Sequence, residues 1–261
     1  MMQRKYGVLG ILGILFFGGN LGTQAKGLKP EAFPGSSWGW FARDLEGNPL
    51  VGTSAQGYVN QGIDWKTFPH GVVFNTFAEF RYRVRSRNND FYNAYGPALG
   101  LEFRKSFLHL GMDYYWQKFP ELHESSNKLQ FYLSGYYGWD LKKFLDSHPV
   151  QGFSGSTWNS FTQDGDNFEG MGAQGFVNQG IDWFTLSHGI VFNTFAEFRY
   201  RVREKNTTYY NAYGPALGFE FRKSPANVGM VYYWERFPQL GQNSNKLQIY
   251  LTYYYDWNLK K

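Results

Sequence analysis

Two identical runs of alternating charge hold the residues best suited to chemistry. The segment Thr76 to Arg85 reads TFAEFRYRVR and returns unchanged from Thr194 to Arg203. Within it Glu79, Arg81 and Arg83, with their copies Glu197, Arg199 and Arg201, sit at every second position. On an extended chain that spacing projects all of them from one face, while Phe74, Ala78, Phe80, Tyr82 and Val84 occupy the other. Glu102 and Arg104, with copies Glu220 and Arg222, repeat the arrangement on the next segment, opposite Tyr95, Leu99, Leu101 and Phe103. Carboxylates and guanidiniums on neighbouring strands can pair as a ladder that fills an interior. They can also line a constriction that favours anions such as acidic sugars or phosphate-bearing molecules. The residues alone leave both readings open, and the small Ala94, Gly96, Ala98 and Gly100 give such long side chains room. Arg85 and Arg203 fall nearer a rim.

Other chemistry finds little support. The chain has no Cys, so thiolate metal sites, disulfides and Cys nucleophiles are excluded. His70 and His188 recur before Gly in what reads as a turn, whereas His109, His123 and His148 have no counterpart. Ser106 and Ser224 recur at turns without a repeated His nearby, and no His/carboxylate grouping has metal-ligand spacing. No catalytic residue, metal or cofactor is expected, and the chain reads as a non-enzyme. The net charge of +5 comes from bases that alternate with large apolar residues, without a basic run, so no nucleic-acid partner is expected.

The elements that must position these residues are written twice. Gln56 to Trp65 returns as Gln174 to Trp183, Asn93 to Gly100 as Asn211 to Gly218, and Ser126 to Gln130 as Ser244 to Gln248, all at an offset of 118. Trp38 matches Trp158 at 120, so a turn in the first copy carries two more residues. Roughly two-thirds of aligned positions are identical, which marks a tandem duplication. The repeats span 33–143 and 153–261. Each holds six alternating segments, near 37–45, 51–66, 71–86, 91–105, 107–117 and 128–142, with 141–156 as the turn between halves. The longest loops within the copies are expected at Lys118–Asn127 and Arg236–Asn245.

Length separates a soluble sheet from a membrane one. Val72 to Val84 is twelve steps, about 41 Å at ~3.4 Å each. Tilted by ~40°, such a strand rises about 31 Å, close to a bilayer core, whereas soluble strands run about five or six residues. Six strands alone would leave open edges in lipid, so both copies are expected to close one antiparallel transmembrane β-barrel of about twelve strands. Aromatic residues make up 21% of the chain. Tyr114, Trp116, Tyr137 and Trp139, with Tyr232, Trp234, Tyr255 and Trp257, stand at strand ends where a membrane-interface girdle needs them. Tyr115, Phe119 and Tyr136 read as members of the same girdle.

Residues 1–25 read as a secretory signal peptide: Arg4 and Lys5, then the apolar run Gly7 to Phe17, then Thr23-Gln24-Ala25 as a small-x-small cleavage pattern. The mature chain, 26–261, is a single barrel in this reading. A mean hydropathy of −0.49 argues against a helix bundle but not against a barrel, whose alternate residues avoid lipid.

With its leader, lack of cysteine and long alternating strands, the chain resembles bacterial outer-membrane β-barrels. The runs Gly96 to Arg104, Leu110 to Trp116 and Tyr136 to Leu141 are similar to the C-terminal barrel regions of exopolysaccharide-export and phage-adsorption outer-membrane proteins. That family has a periplasmic helical repeat region before the barrel, absent from this sequence. It also often ends on an aromatic residue, where this chain ends Trp257-Asn258-Leu259-Lys260-Lys261. The resemblance implies the outer membrane of a Gram-negative-type bacterium and a lipid bilayer as partner, and it specifies architecture and not function. With the inward charges, the chain reads as a passive or accessory conduit for an anionic solute or polysaccharide. A non-conducting surface receptor or structural barrel is the alternative, and a secreted tandem module binding carbohydrate a third.

Overall fold

Alternation of apolar and polar residues over twelve long segments leaves the chain one way to bury its backbone polar groups, which is to pair every strand with two neighbours. The computed structural model describes residues 29–46, 52–86, 92–140, 150–165, 170–205 and 210–259. The leader read over residues 1–25 lies outside them. The first copy supplies β1 (Pro34–Glu46), β2 (Thr53–Thr67), β3 (Val73–Arg85), β4 (Ala94–Lys105), β5 (Leu108–Phe119) and β6 (Glu124–Asp140). The second supplies β7 (Gly152–Asp164), β8 (Met171–Thr185), β9 (Val191–Arg203), β10 (Ala212–Lys223), β11 (Ala226–Phe237) and β12 (Gln242–Asn258). All neighbours are antiparallel and consecutive, and β12 returns to pair with β1 from Pro34↔Asn258 to Glu46↔Leu247. The result is one closed ring, so the two copies are not separate modules.

The barrel is apolar outside and polar inside. Phe80, Leu99, Leu110, Phe131, Phe161 and Leu217 stand exposed on the outer face, while Asn75, Asn193, Asp113, Asp164 and Gln248 are among the most deeply buried side chains. A barrel surrounded by water has the reverse distribution, because exposed apolar surface on this scale drives association. Inward aromatics are accommodated by glycine on the adjacent strand. A Cβ on Gly100 would come within 2.4 Å of the Phe77 ring, and one on Gly218 within 2.6 Å of Phe195.

Both seams between the copies use one joint. At β12–β1 the Trp257 ring lies over Gly35, where a Cβ would come within 2.2 Å of it, and its Nε1 donates to Gln61 on β2 at 2.9 Å. At β6–β7 Trp139 lies over Gly155 and donates to Gln179 on β8, also at 2.9 Å. Each indole thus spans three strands across the junction.

Two expectations need correction. Lys118–Asn127 is not a long loop. Phe119 pairs with Glu124 and Trp116 with Asn127, so the connection is a helical turn at Pro120–Leu122 closed by His123 in a left-handed conformation. The polar run from Glu124 has no apolar alternation to mark it, yet its backbone continues the ladder; Arg236–Asn245 behaves alike around Pro238–Gly241. Tyr115 and Phe119 likewise point inward and are buried, because they share the phase of Asp113. His70 and His188 do lie in turns, with φ of 66° and 64°.

Replacing Trp257 or Trp139 by Ala is expected to destabilise the barrel by about 1–3 kcal/mol, since each change removes a packed ring and a hydrogen bond. Urea unfolding in phospholipid vesicles checks this. Similar losses at the two seams are expected, because the joints are equivalent.

Candidate functional site in the lumen

The inward phase of β3 carries Asn75, Phe77, Glu79, Arg81, Arg83 and Arg85, and that of β9 their copies. Because β3 and β9 are six places apart in a ring of twelve, the two arginine series face each other from opposite walls. On β4 and β10 the inward phase is small, then charged: Ala94, Gly96, Ala98 and Gly100 precede Glu102 and Arg104, and Ala212 to Gly218 precede Glu220 and Arg222. All ten charged candidates from the sequence stand on the inner face.

Their partners come largely from residues that the sequence did not single out. Arg81 pairs with Glu79 on its own strand and reaches Asp113 on β5 at 2.6 Å. Arg104 pairs with Asp64 on β2 and with Glu102 at 3.6 Å, and Arg222 pairs likewise with Asp182 and with Glu220 at 3.8 Å. Arg199 donates to Glu197 through Nε at 2.7 Å. Tyr132 crosses above Gly111 to donate to Glu102 at 2.8 Å, and Tyr250 crosses above Gly229 to reach Glu220 at the same distance. Near the opposite end, Lys128 meets Asp164 at 3.7 Å across the β6–β7 junction, Arg203 lies 3.9 Å from Asp164, and Lys246 holds Glu235 at 2.6 Å. Arg83 and Arg201 line the wall between these groups, and both are engaged there.

The two copies balance the same face differently. Asp113 is replaced by Val231 in the second copy, and Gln117 by Glu235. The carboxylate therefore moves four residues along the same inward phase, from beside Arg81 to beside Lys246. Arg199, lacking the equivalent of Asp113, lies 4.0 Å above the Tyr233 ring, whereas Arg81 lies 5.2 Å above Tyr115. Cation–π contact thus replaces one ion pair.

Acids and bases are not displayed equally to the lumen. The Arg81 side chain is 27% exposed, against 12% for Glu79 and 0% for Asp113. Arg199 is 33% exposed against 9% for Glu197, and Arg222 27% against 6% for Asp182. Carboxylates hold to the wall while the longer guanidiniums reach past them. The surface that a solute would meet is therefore electropositive although both signs are present.

The eight interface aromatics stand on the outer face. Tyr114 and Trp116 stack edge to face at 4.8 Å, and Tyr232 and Trp234 at 4.6 Å, toward the end where β5 and β11 finish. Tyr137 with Trp139, and Tyr255 with Trp257, lie toward the other end. Among the described residues no grouping of His, Asp and Glu could hold a metal ion.

No family model matches the sequence, and no curated protein matches it significantly. Among solved structures, the β domain of the Bordetella autotransporter BrkA is similar at a TM-score of 0.41 and 10% identity, over 86% of this chain and 98% of that one. A bacterial polysaccharide outer membrane secretin gives 0.38 and 12%, over 88% and 99%. An outer membrane channel from Pseudomonas putida F1 gives 0.39 and 9%, over 91% and 100%. Likeness at this level bears on no residue of the lumen.

Removing one partner of a largely buried ion pair strands the other, at a cost of up to about 3–5 kcal/mol where no second partner exists. Arg81 keeps Glu79, so Asp113→Val is expected to cost about 1–3 kcal/mol. Adding Arg81→Met should recover part of that loss, with a coupling energy of at least ~1 kcal/mol in a double-mutant cycle read by urea unfolding. Additive losses would mean that the pair is not formed.

Proposed function

We propose that the chain is an exported outer-membrane β-barrel, built by tandem duplication, that acts as a narrow, passive or accessory conduit preferring anionic solutes. The observation that carries the anion preference is the unequal display of charge, with Arg81, Arg104, Arg199 and Arg222 each more exposed than the carboxylates they pair with. In a low-dielectric channel a ring of guanidiniums raises the local concentration of anions and lowers that of cations. The membrane setting is supported by the apolar outer face and by its two bands of Tyr and Trp, which suit the headgroup zones. Export through the leader at 1–25, the outer membrane of a Gram-negative-type bacterium, an anionic saccharide as the solute and the absence of enzymatic activity belong to the same proposal.

A second reading is a closed barrel serving as a surface receptor or scaffold. It is favoured by the complete burial of Asp113, Gln248 and Tyr233 within the interior. Those side chains narrow the passage, and a fully plugged barrel would carry no current.

Single-channel recording in planar bilayers separates the two. A conducting, anion-selective pore is expected, with the reversal potential under a KCl gradient on the chloride side. Arg81→Gln with Arg199→Gln is expected to reduce or invert that preference, since Glu79, Asp113 and Glu197 would then dominate. Conductance with unchanged selectivity in the variant would refute the electropositive lumen. A correctly folded barrel without conductance would establish the second reading.

A further inference from the structure

The charged ladders occupy only part of the inner wall. Between Asp44 and Asp64, the inward residues of β1 and β2 are uncharged: Ser36, Trp38 and Trp40 face the lumen beside Asn60, Tyr58 and Gln56. The equivalent sector of β7 and β8, between Asp164 and Asp182, carries Ser156, Trp158 and Ser160 beside Asn178, Phe176 and Gln174. In the ring of twelve these sectors are opposite each other, so the lumen alternates charged and uncharged walls.

Each uncharged sector centres on three aromatic rings from three adjacent strands. Trp38 is in register with Tyr58 on one side and with Tyr254 of β12 on the other. Trp158 is in register with Phe176 and with Tyr136 of β6. Tyr136 shares the inward phase of Tyr132 and runs toward Gly138 at the mouth, so it does not belong to the outer girdle. Tyr136 and Tyr254 are 58% and 52% exposed, and β6 and β12 stand six places apart in the ring, so the two triads face each other across the lumen. Rings that face water at the mouth gain neither the headgroup contact of a girdle nor the burial of a core. Their polar inward neighbours along β1, β2, β7 and β8 are hydroxyls and side-chain amides. The charged wall begins one strand further, where Arg81 is in register with Tyr58 and Arg199 with Phe176, while Asp256 of β12 is in register with Ser36. The triads thus combine apolar platforms with hydrogen-bonding groups at their edges.

We propose that the two triads form a carbohydrate-binding site at the mouth where β1 begins. Pyranose rings present an apolar C–H face that stacks on an aromatic ring and hydroxyl edges that hydrogen-bond to amides and hydroxyls. An extended glycan passing between the opposed walls would meet a platform on each side. This deepens the conduit reading by naming the residues that would hold a saccharide solute, and rests on it only in requiring a water-filled mouth.

The test uses the mature full-length protein with maltohexaose, cellohexaose and hexagalacturonate. Two readouts are taken: intrinsic fluorescence in detergent micelles, and interruption of ion current in planar bilayers. At least one hexasaccharide is expected to bind. Its Kd is expected to rise about tenfold or more in Trp38→Ala with Trp158→Ala, and to stay near the original in Trp38→Phe with Trp158→Phe, which keeps the rings. Binding without conductance would uphold the site and overturn the conduit. Conductance with no response to any of the three saccharides would overturn the site and leave the conduit. Binding that the Ala variant leaves unchanged would also overturn the carbohydrate assignment.

Discussion

Pairing of β12 with β1 closes the hydrogen-bonded ring, and every other feature depends on that closure. A sheet whose outer face is apolar has no water to satisfy an open edge, so each backbone N–H and C=O must find a strand partner. Once the ring is shut, strict alternation divides each strand between two solvents. Phe80 and Leu99 face outward, and Glu79, Arg81 and Glu102 face inward. The seam is reinforced where closure is hardest, at the meeting of the first and last strands, by an indole over a glycine reaching a glutamine one strand further. The same joint recurs at the junction between the copies, as expected if one ancestral contact came to serve both seams.

The interior solves a problem that closure creates. Long charged side chains cannot be left unpaired in a space with little water, yet a fully neutralised interior would offer a solute nothing to distinguish. Short carboxylates against the wall and longer guanidiniums beyond them meet both demands. The exchange of Asp113 and Gln117 for Val231 and Glu235 shows that this balance tolerates relocation of a charge along a strand. Between the charged walls lie two uncharged, aromatic ones, so the lumen offers a solute two chemically distinct surfaces.

The strand pattern and the inward face of Glu79 to Arg83 were legible because alternation is a local property, readable within one segment and repeated in the other copy. Asp113 was not, for two reasons. Its partner Arg81 lies two strands away, and the second copy carries Val231 at its place, so comparison of the repeats concealed it. Lys128 and Asp164 were hidden because they meet across the junction between copies. Tyr137 and Trp139 face outward with Phe131 and Leu133, whose phase on β6 they share. Tyr115, Phe119 and Tyr136 were grouped with the girdle by residue type alone, although their phase matches Asp113 on β5 and Tyr132 on β6. The polar start of β6 was read as loop because backbone pairing leaves no trace in side-chain pattern once both faces are polar.

The most direct test of the account is the electrophoretic mobility of the mature protein, extracted by detergent from the outer-membrane fraction and run with and without boiling. A closed barrel keeps its compact form in cold detergent. A band that runs fast unboiled and slow after boiling is therefore expected. Recovery in the soluble fraction, with the same mobility under both conditions, would contradict a closed barrel held in lipid.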